Sequence, residues 1–245
     1  MPDTTSESER LRAALLTGFH VLDEEGQNSG IAGHLTARLP GQERLLGHGY
    51  GLAFDEVRAE TIHEADFALQ VEGPGRVSPS LAFHVAIYRA RPDVGAIVHS
   101  HGRHAIALGA AGAHFVPVYQ SALMLWDRVR PYDCYDGIVE SDDVGARMAA
   151  ALGDGRVLAL RNHGIVAVGA TVAEAVCAAV VYEENCAMQL MALSAGGRVV
   201  GLPDDEAADA RDFLASPRVV AMRWQQLGRK AARHRPFLPA AETLA

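Results

Sequence analysis

Apolar positions at Leu11, Leu15, Phe19 and Leu22 fall on one stripe at helical spacing. The first element they predict is a helix capped by Ser8 and ending near Gly26, after a frayed tail over residues 1–7. From Leu35 to Leu39 the pattern changes to strand-like alternation, and Pro40-Gly41-Gln42-Glu43 turns the chain into a partner strand at Arg44-Leu45-Leu46. The loop from Gly47 to Gly51 is glycine-rich and carries His48 and Tyr50. Its amides could approach a ligand, but it lacks the spacing of a P-loop or a dinucleotide fingerprint. Phe67 to Val71 reads as a short strand. Ser78 or Ser80 opens a helix through Leu81, His84, Val85 and Tyr88, stopped by Arg91-Pro92-Asp93. Gly95 to His99 reads as a buried strand, His104 to Gly109 as a small-residue helix and Phe115 to Tyr119 as a further strand. Ala122 to Trp126 is apolar, and the tract to Ile138 is irregular and aromatic.

The second half continues to mix strands and helices, without a regular β-α-β rhythm. Ser141-Asp142-Asp143 opens a helix to Gly153, with acidic residues at its positive end. Val157 to Leu160 and Ile165 to Val168 are strands separated by a short turn. Thr171-Val172-Ala173-Glu174 forms a capping box for a helix to about Ser194, apolar over most of its circumference. Glu183 and Glu184 are its main charged positions; they fit either salt-bridged helix residues or partners behind a histidine. Two helices, about 204–214 and 217–233, close the chain, and the basic run from Arg229 to Arg235 reads as a solvated face or an anion contact. Neighbouring strands imply hairpins, so the expected fold is a three-layer α/β/α sandwich around a mixed, largely antiparallel sheet. No repeat or linker divides it. The expectation is one domain over residues 1–245, with a core at about 10–200 and C-terminal helices at 203–235.

Composition narrows the partners. The 245 residues are 49% hydrophobic and 21% charged, enough to bury a full core. A net charge of −8 disfavours nucleic acid and anionic membranes. No apolar run approaches the roughly 20 residues of a membrane span. The acidic start, Met1 to Glu9, has no charged-then-apolar leader. Three cysteines, none in a C-x-x-C pair, fit reduced thiols. The expected location is the cytoplasm and the expected partner a small molecule.

The candidate chemistry lies where apolar runs end. Ala96-Ile97-Val98 leads into His99-Ser100-His101-Gly102, and Leu158-Ala159-Leu160 leads into Arg161-Asn162-His163-Gly164. A period of two puts His99 and His101 on the same side of an extended chain. Two imidazoles on one side, joined by His163, can close on one divalent ion. Three protein nitrogens leave coordination positions open, as a catalytic metal requires.

Five tracts together resemble the class II aldolase/adducin family, in order and spacing, over about residues 10–200. They are Gly33-His34-Leu35-Thr36-Ala37-Arg38; Phe83 to Tyr88 with Arg91-Pro92-Asp93; Val98-His99-Ser100-His101; Leu160-Arg161-Asn162-His163-Gly164; and Gln189 to Leu193. The resemblance implies an α/β/α fold and homotetramers with active sites at subunit interfaces. It implies a metal held by His99, His101 and His163, zinc first, with iron or manganese as alternatives. It also implies Tyr119 as a proton donor. His34, His48, Gly51 and His84 are the candidate substrate contacts.

Two departures qualify this. Where the family's sugar-phosphate aldolases carry a glutamate four residues before the helix histidine, this chain has Ser80 before His84. Their Gly-Asn tract is Gly33-His34 here. A hydroxyl is no carboxylate shuttle, so Ser80 occupies the catalytic position without its chemistry, as in the adducin-type branch. The expected function is a divalent-metal-dependent lyase that breaks or forms a C–C bond beside a carbonyl or carboxylate, by aldol cleavage or decarboxylation through a metal-stabilised enolate. The alternatives are a non-heme Fe(II) oxygenase acting on an aromatic acid and a non-catalytic adducin-like assembly module.

Overall fold

The computed structural model describes residues 6–28, 30–135, 137, 142–196, 198–204 and 207–238. Its strands are β1 (His34–Arg38), β2 (Arg44–His48), β3 (Ile62–Asp66), β4 (Ala96–Ser100), β5 (Val129–Tyr132), β6 (Val157–Leu160) and β7 (Gly164–Gly169). They form one seven-stranded sheet in the order β3-β2-β1-β4-β7-β6-β5. The β5–β6 pair is parallel and the other neighbours are antiparallel. The helices are α1 (Glu7–Glu24), α2 (Ala82–Ala90), α3 (Arg103–Ala110), α4 (Asp142–Leu152), α5 (Val172–Ser194), α6 (Ala207–Leu214) and α7 (Pro217–Ala232).

The strand period of two sorts side chains into two apolar layers. On β4, Ala96 and Val98 pack with Leu15, Phe19, Val176 and Val180, while Ile97 packs on the other face with Phe83, Ile87 and Met148. The sheet therefore lies between α1, α3, α5 and α7 on one side and α2 and α4 on the other. This is the expected α/β/α sandwich with a mixed, largely antiparallel sheet. Val176 and Val180 on α5 are fully buried; each stabilises the fold by roughly 1.5–3 kcal/mol relative to an exposed side chain.

Several boundaries differ from the sequence reading. The first helix is capped by Ser6, not Ser8: Ser6 Oγ accepts the Glu9 N–H at 3.2 Å and Glu9 accepts the Ser6 N–H at 2.8 Å. Phe67 to Val71 is a turn beyond β3, because the Asp66 carboxylate takes the N–H groups of Ala68 and Gln70 and Leu69 adopts a φ of 61°. Among the described residues, Phe115 to Tyr119 pairs with no strand. The side-chain amides of α5 take its backbone bonds: Asn185 bonds the Val116 carbonyl and the Val118 N–H, each at 2.9 Å, and Gln189 bonds the Val116 N–H and the His114 carbonyl. The irregular tract after Trp126 contains the edge strand β5. Ser141, the expected cap of α4, lies outside the described residues. At α5, Thr171 Oγ1 caps the Glu174 N–H, but the Glu174 carboxylate turns back to Ala170. The basic run at the end of α7 contacts α1: Lys230 meets Glu25 at 2.8 Å, and Arg235 meets both Asp23 and Glu24. Among the described residues, no helix is long and apolar enough to cross a membrane.

Candidate metal centre

His99 lies near the end of β4, His101 is the residue just beyond it, and His163 is in the turn joining β6 to β7. The antiparallel β4–β7 register, with His99 opposite Val166 and Ser100 opposite Ile165, lays that turn beside the H-x-H segment. Asn162 turns the chain with a φ of 59° and Gly164 with a φ of 142°. A Cβ on Gly164 would overlap the Ser100 carbonyl and come within 3.1 Å of His101 Cα, so only glycine lets the turn approach this closely.

The three imidazoles converge. Ring centroids lie 4.7 Å apart for His99–His101, 5.1 Å for His99–His163 and 4.9 Å for His101–His163. One nitrogen from each ring falls within 4.8 Å of the others. His99 Nδ1–H donates to the Ile165 carbonyl at 2.9 Å, which leaves the lone pair on Nε2. That Nε2 faces His101 Nε2 at 3.0 Å. Burial holds His99 well below the usual imidazole range, and the neighbouring histidines push it down further. Burial and His163 lower His101 to about 4; burial lowers His163 as well. All three rings are therefore neutral at pH 7, the form that binds a metal.

Two of the candidate substrate histidines, His34 and His84, continue inward on the α2 side of the sheet, while His48 lies on the α1 side. His34 lies opposite His99 in the β1–β4 ladder, and its ring stacks on that of His99 at 5.7 Å. His84 approaches His34 edge-on at 5.8 Å, with its Nδ1 bonded to Thr36 Oγ1 at 2.8 Å; the Tyr88 hydroxyl bonds the same Thr36 oxygen at 2.8 Å. His48 lies 6.2 Å from His34 and packs against Phe19 at 4.8 Å. Burial pushes His34 and His84 far down and His48 to about 4. Among the described residues, His34 Nδ1 and His84 Nε2 are buried without a hydrogen-bond partner.

The other candidates fall elsewhere. Gly51 is in the exposed turn after β2, with a φ of 91°. Ser80 is half-buried in a single turn of 3-10 helix before α2, where its N–H donates to Ser78 Oγ at 3.3 Å. Tyr119 is held by α5 and α7: its hydroxyl donates to Glu184 at 2.6 Å, and Arg223 contacts the same carboxylate oxygen at 3.4 Å. Burial, then Glu184, raises the Tyr119 phenol pKa, keeping it protonated.

Sequence reasoning missed part of the support. Ser100 Oγ donates to the buried Gln27 Oε1 at 2.6 Å, a link with no signal in the sequence. Thr36 stood inside the Gly33–Arg38 tract without a role. Glu183, one of three charged positions on a largely apolar helix, carried a signal that periodicity alone could not resolve.

The triad suits a divalent ion. A tetrahedral zinc about 2.0–2.1 Å from each nitrogen holds its ligand atoms roughly 3.4 Å apart, and the spacings in the triad straddle that value. Three neutral donors leave the full positive charge of the ion for an anionic ligand in the open positions.

The family model for the Class II Aldolase and Adducin N-terminal domain matches residues 13–190. A 3,4-dihydroxyphthalate decarboxylase from Arthrobacter keyseri is 30% identical over 218 residues, covering 84% of this chain and 88% of the relative. An aldolase II superfamily protein from Pseudomonas syringae superposes with a TM-score of 0.85 at 29% identity, covering 96% of this chain and 98% of the other. An L-fuculose 1-phosphate aldolase from Glaciozyma antarctica PI12 superposes with a TM-score of 0.83 at 25% identity, over 97% and 96%. A sequence match across most of the chain and a shared sheet topology lead to one conclusion: this protein belongs to the class II aldolase and adducin family.

Proposed function

We propose that the protein is a divalent-metal-dependent lyase that acts on a small carboxylate, with decarboxylation favoured over aldol cleavage. The observation that carries this reading is the convergence of His99, His101 and His163 as three neutral donors with no acidic ligand among them. A bound zinc, or iron or manganese in its place, would act as a Lewis acid on substrate oxygens, which is what breaking a C–C bond beside a carbonyl or carboxylate requires.

The residues divide the remaining work. His99 is held in one tautomer by Ile165. His34, stacked on His99, and His84 and His48 on either side of His34 would orient the substrate. Gly51 would admit it close to the backbone. Ser80 offers a hydroxyl that can hydrogen-bond substrate but cannot shuttle a proton as a carboxylate does. Decarboxylation has less need of that shuttle, because loss of CO2 removes no proton from carbon. The product carbanion does need a proton, and Tyr119, kept protonated, is the proposed donor. Its place on the α5–α7 side fits active sites formed between subunits of a homotetramer, where one protomer supplies Tyr119 to the histidines of the next. The similarity to a 3,4-dihydroxyphthalate decarboxylase supports a hydroxylated aromatic acid as substrate.

The test uses purified protein. Elemental analysis should find close to one divalent ion per chain. The metal-loaded protein should release CO2 from a dihydroxy aromatic acid without consuming oxygen. Oxygen uptake with an iron-loaded sample would replace this reading with an oxygenase, and aldehyde release from a sugar phosphate would restore aldol cleavage. A protein that takes up no metal would end both enzyme readings.

A further inference from the structure

The segment carrying His99 and His101 is held from behind by a buried carboxylate. Glu183 lies on α5, and its side chain is only 9% exposed. A carboxylate so far from water is costly unless its oxygens are bonded. Its Oε1 accepts the His104 backbone N–H at 2.8 Å and contacts His104 Nδ1 at 2.9 Å, and its Oε2 accepts the Ala105 N–H at 2.9 Å. These are the N–H groups of the second and third residues of α3, the helix that starts two residues after His101. The negative charge also faces the positive end of that helix.

Gly102 completes the lock. It joins His101 to α3, and a Cβ there would overlap the Glu183 carboxylate. The carboxylate is thus pressed against the residue next to a ligand and bonded to the two residues after the next. Earlier in the chain, before His101, Gln27 holds Ser100 and Ile165 holds the His99 ring. Each residue from His99 to Ala105 that is anchored this way loses freedom to turn, and His101 lies between the anchors.

We propose that Glu183 is a positioning residue for the metal centre: by clamping Gly102 and the start of α3 it fixes the direction from which His101 meets the ion. This rests on the His99/His101/His163 reading of the metal site. A helix cap alone would add stability and leave the metal indifferent to Glu183. A positioning residue also changes affinity and ligand geometry, because partners behind a ligand typically contribute 10–100-fold in metal affinity.

The experiment compares wild type with Glu183→Gln, which keeps the volume, and with Gly102→Ala, which displaces the carboxylate without removing it. Glu174→Gln, on the same helix but bonded to Ala170, is the control. Zinc affinity is measured by chelator competition, the visible spectrum of the Co2+-loaded protein reports ligand geometry, and urea unfolding of the metal-free proteins reports the fold. Both Glu183→Gln and Gly102→Ala are expected to weaken zinc binding roughly 10–100-fold and to change the Co2+ bands, while the control stays within about twofold of wild type. Folded variants with wild-type zinc affinity and an unchanged Co2+ spectrum would overturn the proposal and leave Glu183 as a helix cap. Wild type that binds neither ion would instead overturn the metal site itself, a result distinct from any difference among variants.

Discussion

The buried polar side chains of α5 and those beside α2 are treated in opposite ways. Toward α5, Asn185 and Gln189 are bonded at both ends of their amides, and Glu183 at both oxygens. Toward α2, His34 and His84 are just as deeply buried, yet each keeps one nitrogen without a partner. An unpaired buried polar atom costs about 1–3 kcal/mol. The first set is a closed frame; the second carries open valences beside three converging imidazoles. Orphaned atoms also occur around the end of α1, on Thr17, His20, Gln27 and Asn28. Openness alone therefore does not mark the site; the convergence of rings does.

The contrast can be broken first at the triad. His99→Ala removes the central ring, and metal affinity should fall by more than the 10–100-fold typical of a supporting residue. Elemental analysis of the variant after dialysis should find little metal. Near-stoichiometric metal in that variant would show that the triad is not the binding site.

A change on the α5 side should do the reverse. Asn185→Ala strands the Val116 carbonyl and the Val118 N–H, so a loss of about 2–6 kcal/mol in urea unfolding is expected, at roughly 1–3 kcal/mol per orphaned group. Zinc affinity should stay within about twofold of wild type. A large affinity loss with little change in stability would blur the distinction between frame and site.

Acid should act on the histidine side. Burial holds His34, His84 and His99 well below the ordinary imidazole value of 6.5 and His48 and His101 at about 4. Between those values the unfolded chain binds more protons than the folded protein. Stability is thus fully present above pH 6.5 and is lost progressively as the pH falls toward 4. Urea unfolding of the metal-free protein at pH 7.5, 6 and 5 should show this decline, and equal stability at all three would contradict it.

The smallest effect belongs to the α1–α7 contact. Arg235→Ala removes partners of Asp23 and Glu24 near the surface, and about 0.5–1 kcal/mol is expected in unfolding, less in high salt. A loss above about 3 kcal/mol would place this contact with the buried frame instead.

Much of the fold was legible locally. The stripe of Leu15, Phe19 and Leu22, the apolar run before His99 and the helix opened at Thr171 all stand where the sequence puts them. The misses share a cause. Phe115 to Tyr119 has strand-like residues but no strand beside it, since Asn185 and Gln189 supply its bonds from about 70 positions away. Ile62 to Asp66 became the edge strand because β2 offered it a register, while Phe67 to Val71, apolar enough to pair, was turned by Asp66.

By itself the sequence determined which side chains were available: two histidines one residue apart at a strand end, a third before Gly164, and a serine where aldolase relatives keep a carboxylate. Side-chain period and residue chemistry are local properties, and they can be read in order. Tertiary structure alone decided which groups meet. It placed the β6–β7 turn against His101, faced Ile165 toward His99, drew Tyr119 to Glu184 and set Glu183 behind Gly102. Each of these contacts joins residues more than 60 positions apart, and the pairing of distant segments depends on sheet register and helix packing, which no local pattern encodes.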